Sequence, residues 1–192
     1  MLKRKKAELD KQINELRTLS QHLEEYIPKL ENGHDFPIGE ISIQTLPDQY
    51  LYLSKPLKNC VNFKTRSSVS ATLFTDLRKK HCINQHFFGY MMDNTVLNGH
   101  GKSADYIKYY FYPLTGKEPQ FTCTLKPAGT YITLYCNGVY MTNNKEYLQK
   151  IANYCKEHEL VPDSYIYVTY IKNYWLTDKA DEYIFKIELR IK

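Results

Sequence analysis

The chain has 192 residues, 43% of them hydrophobic and 24% charged, with a formal net charge of +5 at pH 7. This is enough for one ordinary domain plus an appendage, folded around a real core, and the modest positive charge permits an acidic partner without demanding one. No stretch approaches the roughly 18 uninterrupted apolar residues of a membrane span, and no apolar h-region follows the basic start MLKRKKAELDK, so neither a membrane anchor nor a secretory signal is expected.

The first 33 residues read as one unit. Leu2, Leu9, Leu16, Leu23 and Leu30 recur every seventh position, and Ile13, Leu19, Tyr26 and Ile27 widen the stripe between charged residues. This spacing predicts a long amphipathic coiled-coil helix that ends near Pro28 and Asn32-Gly33. Such a stripe needs covering, either by the chain's own domain or by a second copy of the helix. The KRKK run at Lys3 to Lys6 reads as a solvated helix start.

After Phe36 the pattern changes to strands. IGEISIQTLPDQYLYLSK predicts two strands around a turn at Pro47-Asp48. SSVSATLFTDLRKKHCI predicts a helix capped by its serines, with Leu73, Phe74, Leu77 and His81 on one face. QHFFGYMMDN and ADYIKYYFYPL are strand-like by aromatic content, with NGHGKS as the connecting turn. The same order then recurs. QFTCTLKPAGTYITLYC predicts two strands around Pro127-Ala128-Gly129, and NNKEYLQKIANYCKEHEL a helix with Leu148, Ile151, Ala152 and Cys155 on one face. SYIYVTYIKN and DEYIFKIELRI close the chain as strands. Two strand-strand-helix-strand-strand units in tandem, one over about 37–113 and one over about 119–192, argue for duplication within a single domain spanning 34–192. The predicted class is α+β with an antiparallel sheet. A pseudo-twofold arrangement would leave a cleft between the units, a favoured place for a small molecule.

The chain holds 18 tyrosines. Alternation puts Ile166, Val168 and Tyr170 on one face of a strand and Tyr165, Tyr167, Thr169 and Ile171 on the other; in the last strand Lys186, Glu188 and Arg190 share a face opposite Phe185, Ile187 and Leu189. Tyrosine rings with tips in a wet cleft satisfy their hydroxyls and offer flat faces to planar or cationic guests. The plainer reading is that tyrosine is simply a good residue for a half-buried sheet face.

At this point the chain resembles the MerR-family drug-sensing transcription regulators, whose C-terminal effector-binding domain is of the GyrI-like type. CNGVY, from Cys136 to Tyr140, is similar to the family's Gly-x-Tyr turn before the second helix. KEYLQKIANYCKEHEL resembles that helix and its tail, and VTYIKN with DEYIFKIELRI resembles the closing pair of strands. The resemblance implies that residues 1–33 are a dimerisation helix giving a homodimer, and that 34–192 bind a small aromatic or lipophilic ligand. DNA would be contacted only through a winged-helix head that has no counterpart in this sequence. It further implies a site between the repeats lined by Tyr140, Val168, Tyr170, Trp175 and Tyr183 from the second unit and by Tyr50, Tyr52, Phe88, Tyr90 and Tyr109 from the first. Where the family often writes Glu-x-Tyr, this chain has Val168-Thr169-Tyr170, and where it often writes Thr-Glu-Ile, this chain has Phe185-Lys186-Ile187. Both departures point away from cations and toward neutral or anionic aromatic compounds, with Glu182 left as a possible charge.

Other chemistry is weakly signalled. Five scattered cysteines, Cys60, Cys82, Cys123, Cys136 and Cys155, show no C-x-x-C pair and read as reduced thiols in a cytoplasmic protein. HCINQH holds two histidines and a thiol but lacks a fourth ligand at metal spacing, and NGHGKS lacks the P-loop's first glycine, so neither a metal nor any other cofactor is expected. Some standalone GyrI-like relatives are hydrolases, for which Tyr140, Tyr170, Trp175, Tyr183 and Glu182 could supply the groups. A module that binds a protein partner through the helix, with the cleft filled, is the third possibility.

Overall fold

The computed structural model describes residues 36–57, 62–80, 89–99, 103–114, 122–174 and 176–192, the side chains of Phe63 and Asn143 excepted, together with single positions among the first 24 residues. Among the described residues the domain has eight strands and two α-helices: β1 (Ile41–Leu46), β2 (Gln49–Leu53), α1 (Phe63–Lys79), β3 (Gly89–Asp93), β4 (Ile107–Pro113), β5 (Cys123–Lys126), β6 (Gly129–Asn137), α2 (Tyr140–Glu157), β7 (Pro162–Lys172) and β8 (Ile184–Ile191). Short 3₁₀ turns at Asn94–Asn98 and Ser103–Tyr106 precede β4, and another at Ala180–Glu182 precedes β8.

The local reasons for these elements are legible. Asn62, rather than a serine, caps α1. Its side chain accepts from the Thr65 N–H at 2.9 Å while the Thr65 hydroxyl accepts from the Asn62 N–H at 3.4 Å, a reciprocal capping box that starts the helix four residues before the expected point. Leu73 and Leu77, one turn apart, bury the same face. In α2 the buried face is Leu148, Ile151 and Cys155. That helix ends where Glu159 turns left-handed at φ 53°, which lets the Leu160 N–H reach the Cys155 carbonyl at 2.9 Å.

All eight strands form one antiparallel sheet in the order β1-β6-β8-β7-β3-β4-β2-β5. The order is unchanged, apart from direction, when the two units exchange labels, so a pseudo-twofold axis passes between β3 and β7. The turns expected at Pro47-Asp48 and Pro127-Ala128-Gly129 are instead breaks in chain that continues in the same direction, so the strands flanking each do not pair with each other. β1 pairs with β6 and β2 with β5, so each unit lends its first strand to the other. These two ladders run in one register. Leu46 faces Gly129 and, past the two-residue breaks Pro47-Asp48 and Pro127-Ala128, Gln49 faces Lys126. The Ala128 N–H donates to the Asp48 carboxylate across the break.

The seam between the units is therefore a backbone ladder, Tyr90 against Val168 and Met91 against Tyr167, and the space between the repeats takes the form of a sheet face. One face carries both helices over a large core that includes Leu77, Met92, Ile132, Tyr140, Ile151, Val168, Phe185 and Ile187. The other carries a smaller cluster, Leu51, Met91, Phe111, Tyr131 and Tyr167, made of strand residues alone among the described residues.

The continuous coiled-coil helix expected over 1–33 is not seen among the described elements. The described positions of that stretch, from Leu2 to Glu24, are individually helical, and Lys6 pairs with Asp10 at 2.9 Å. Leu2 is 84% exposed and Leu9 54%, so the single chain leaves these stripe positions uncovered. No helix of the described residues is long and apolar enough to cross a membrane.

Gly89 lies in β3 at the seam, and a methyl group there would meet the Phe111 ring and the Val168 carbonyl oxygen. Gly89→Ala is expected to lower stability by about 1–3 kcal/mol, the cost of overpacking a closed site. Urea unfolding checks this, and an unchanged midpoint would mean that the seam is looser than described.

Candidate functional site

Two groups of polar and aromatic side chains sit on opposite faces of the seam. On the helix side, three of the tyrosines expected at the site come together. The Tyr90 ring lies 5.7 Å from that of Tyr140 and 6.0 Å from that of Tyr170, centroid to centroid. Tyr140 packs edge-on against Phe185 at 5.3 Å, its hydroxyl donates to the Met92 sulfur at 2.8 Å, and its backbone N–H donates to the Tyr170 hydroxyl at 3.1 Å. Val168 is fully buried beside them. Burial pushes all three phenols above their ordinary range. The hydroxyls are satisfied inside the core, and this group reads as structural packing. Tyr50 and Tyr52 are half-buried against the same core, with the Tyr52 hydroxyl donating to Asp76 at 3.3 Å. Tyr183 is half-buried just before β8, where its carbonyl accepts from Gly138. Phe88 and Trp175 lie outside the described residues, as do His81, Cys82 and His86. Among the described residues no group of His, Cys, Asp and Glu is placed to hold a metal.

The strand-only face holds the charges. Glu188 on β8 is only 3% exposed and Lys126 at the end of β5 only 4%. Lys126 Nζ donates to Glu188 Oε2 at 2.6 Å, and Lys186 Nζ stands 2.7 Å from the other oxygen, Oε1. The Lys126 ammonium also lies 4.9 Å from the centroid of the Tyr131 ring and 5.1 Å from that of Tyr167, within cation–π range of both. Phe111 meets Tyr167 edge-on at 6.1 Å. Thr133 and Tyr167, the ladder partners of Glu188 on either side, point to its face, and the fully buried Thr133 hydroxyl has no hydrogen-bond partner. Among the described residues of the expected ten, Tyr109 is the one that packs on this side.

The sheet must curl to build this centre. β5 stands five strands from β8 in the sheet order, which on a flat sheet is roughly 24 Å at about 4.8 Å per strand, yet the two side chains touch. The continuous register of β1-β2 with β6-β5 closes the curl and folds Lys126 back over β8. The Tyr131 hydroxyl donates to the Pro127 carbonyl at 2.6 Å across the break between β5 and β6.

The electrostatics follow from two ammonium groups sharing one carboxylate. Burial pushes the Glu188 carboxyl up, but the charges of Lys186 and Lys126 together outweigh it and hold the group below its ordinary range, ionised. Burial pulls the Lys126 ammonium below its ordinary range, and Glu188 opposes this only in part, because that carboxylate serves Lys186 as well. Burial lifts the Tyr131 phenol to about 12, so it stays a neutral donor. Glu182 is different. It is held near pKa 2 by hydrogen bonds from Lys172, Lys179 and Thr177, on the exposed loop before β8. A carboxylate so stabilised is a weak base.

Glu188, Lys126 and Tyr167 were not among the expected site residues. The alternation of β8 had placed Glu188 on the right face, but a Lys-x-Glu-x-Arg pattern reads as a solvated one. What hides the site in the sequence is that Lys126 is 62 residues away, on a strand lent across the repeat.

No protein-family model and no curated protein matches the chain. Solved structures do. EcmrR in its complex with DNA aligns with a TM-score of 0.56 at 12% identity, over 100% of this chain and 71% of that one. The isolated EcmrR C-terminal domain aligns with a TM-score of 0.55 at 12% identity, over 80% of this chain and 97% of that one. A hydrolase from Listeria innocua, encoded by lin2189, aligns at 0.50 and 9% identity, over 85% and 97%. At these identities the likeness is one of fold, and the chain has the GyrI-like fold, a duplicated unit with a curled eight-stranded sheet.

Removing one member of a buried ion pair costs more than removing both. Glu188→Ala is expected to cost about 3–5 kcal/mol, since it strands the Lys126 ammonium, whereas Lys126→Met with Glu188→Leu should come close to wild type. Denaturant midpoints of the three chains decide this, and equal losses for single and double variants would remove the pair from the account. A carboxyl with a folded pKa below its unfolded one adds stability above the ordinary carboxylate range and loses it as pH falls through the folded value. Wild type should therefore weaken from about pH 5 downward, and Glu188→Gln should show a shallower acid limb over the same range; parallel profiles would contradict the assignment.

Proposed function

We propose that the chain is the ligand-sensing, effector-binding region of a transcription regulator and that it takes a small aromatic or lipophilic compound on the strand-only face at the seam of its two repeats. The observation that carries this reading is the buried Glu188–Lys126 pair, with the half-buried Lys186 on the other carboxylate oxygen and the Lys126 ammonium over the Tyr131 and Tyr167 rings. Ionised groups in the interior cost several kcal/mol each, and a helix-free sheet face could have been packed with aliphatic residues at no such cost. Charged groups with displaced titration under aromatic walls are the usual signature of a binding site.

The charge of the centre sets the ligand class. Two ammonium groups face one carboxylate, leaving an excess of positive charge among apolar rings. Neutral or anionic aromatic compounds suit that excess, and Lys186, half-buried at the rim, is the group an incoming anion meets first. The absence of a carboxylate at Val168 does not bear on this face, because Val168 points into the helix-side core. The overlay on EcmrR, a protein solved in complex with DNA, extends over the whole of this chain, whereas its C-terminal domain matches 80%. That supports reading residues 1–33 as the segment that pairs two copies and links the ligand-binding domain to a DNA-binding head. A ligand would act by shifting the population of helix-pair geometries, which requires different affinity for the two states.

We read the chain as a binder rather than an enzyme. The groups a hydrolase would need are dispersed: Tyr140 and Tyr170 are sealed in the core, and Glu182 is bound up in an exposed ion-pair network.

Titration with anionic, neutral and cationic aromatic dyes, followed by intrinsic fluorescence, tests the reading. Saturable binding of the anionic and neutral dyes is expected, and Tyr167→Ala should weaken it about tenfold, the equivalent of roughly 1.4 kcal/mol of ring contact. Recovery of a chemically altered ligand would make the chain an enzyme, and failure of every dye alongside capture of a protein partner would make it an interaction module.

A further inference from the structure

A carboxylate flanked by two tyrosine rings is a receptor for an organic cation. Here the cation is already present and belongs to the chain. Lys126 Nζ lies on Glu188 at 2.6 Å and within 4.9 and 5.1 Å of the Tyr131 and Tyr167 ring centroids. The side chain enters from β5, a four-residue strand at the end of the sheet order, immediately before the Pro127-Ala128 break. It is thus a guest held by a short tether.

We propose that Lys126 is a built-in occupant that closes the Glu188–Tyr131–Tyr167 cage to free cations, so that this one side chain determines the charge selectivity of the face. The inference concerns the cage alone and does not rest on the sensing role.

Three observations lead to it. First, the charge is balanced by exchange. A free monocation can take the carboxylate only if Lys126 leaves, because a third positive charge beside Lys126 and Lys186 would be repelled at short range. Second, a tethered group competes at an effective concentration of millimolar or more without paying the cost of association, so a free cation of ordinary affinity loses. Third, the shape is specific. Truncating Lys126 to alanine removes Cγ, Cδ, Cε and Nζ, the atoms of n-propylammonium, and leaves the carboxylate and both rings around the vacated volume. A site that collapsed or filled with water on truncation would show no saturable preference for this alkylammonium over other cations.

Chemical rescue tests the proposal. Lys126→Ala is titrated with n-propylammonium chloride, with sodium chloride at equal ionic strength and with n-propanol, and melting temperature is followed. The alkylammonium is expected to raise the melting temperature of Lys126→Ala by several degrees along a saturable curve. Salt and alcohol should not, and wild type and Lys126→Arg should not respond to any of them. Adding Glu188→Gln to Lys126→Ala should abolish the rescue. A Lys126→Ala chain indifferent to the alkylammonium, or a wild type that responds equally, overturns the proposal. Should Lys126→Ala fail to fold under every condition, the wild-type chain decides by amine acetylation read by mass spectrometry. Lys126 should stay protected while Lys186 is modified, and millimolar tetraphenylphosphonium should leave that protection intact. Deprotection of Lys126 by the free cation overturns closure of the cage.

Discussion

The ladder that joins residues 41–53 to residues 123–134 is the constraint from which the rest of the molecule takes its shape. Through it each repeat lends its first strand to the other, so neither half can complete its share of the sheet alone. Because the register runs through both breaks without a slip, the ribbon ties the two ends of the eight-stranded sheet together, and the sheet has to curl. The curl creates an inner face lined only by strands and carries Lys126 onto Glu188, a contact that a flat sheet would not permit. Duplication, strand exchange, curvature and the buried charge are in this sense consequences of one pairing pattern.

Seen from that pattern, the two faces of the seam have separate work. The helix side is a conventional core in which tyrosines replace some of the usual aliphatics and satisfy one another: the Tyr170 hydroxyl accepts from the Tyr140 backbone and the Tyr140 hydroxyl turns to the Met92 sulfur. The other side stores unbalanced charge. Two ammonium groups on one carboxylate hold that carboxylate ionised and keep Lys126 strained by burial, and the surrounding rings partly replace the water the ammonium has lost. Such an arrangement is expensive as cement, and a guest on this face would have to come to terms with a positive excess.

Much of the secondary structure was readable from residue order. The strand-strand-helix-strand-strand repeat, the buried stripes Leu73–Leu77 and Leu148–Ile151–Cys155, and the alternation of β7 and β8 all follow from periodicities of two and of 3.6, which are local. Pairing is not local. Pro47-Asp48 and Pro127-Ala128-Gly129 look like hairpin turns, but the chain runs on through both as breaks in one register, and nothing near them says that the strands they separate will pair with the opposite repeat. The charged centre is hidden in the sequence for the same reason. Tyr140, Tyr170 and Tyr90 cluster as expected, but on the helix side, because an aromatic residue fits a core as readily as a cleft. Glu188 sits between Lys186 and Arg190, a spacing indistinguishable from a solvated strand face until the curl places Lys126 above it.

The central claim is that the charged centre on the inner face, rather than the tyrosine cluster on the helix side, receives the ligand. Nuclear magnetic resonance of lysine side chains in chain enriched with ¹³C and ¹⁵N tests it most directly, during titration with an aromatic carboxylate. The account predicts that the Lys126 and Lys186 side-chain resonances move first and saturate together while the Tyr90, Tyr140 and Tyr170 rings hold still. Movement of those three rings with Lys126 and Lys186 unaffected would contradict it.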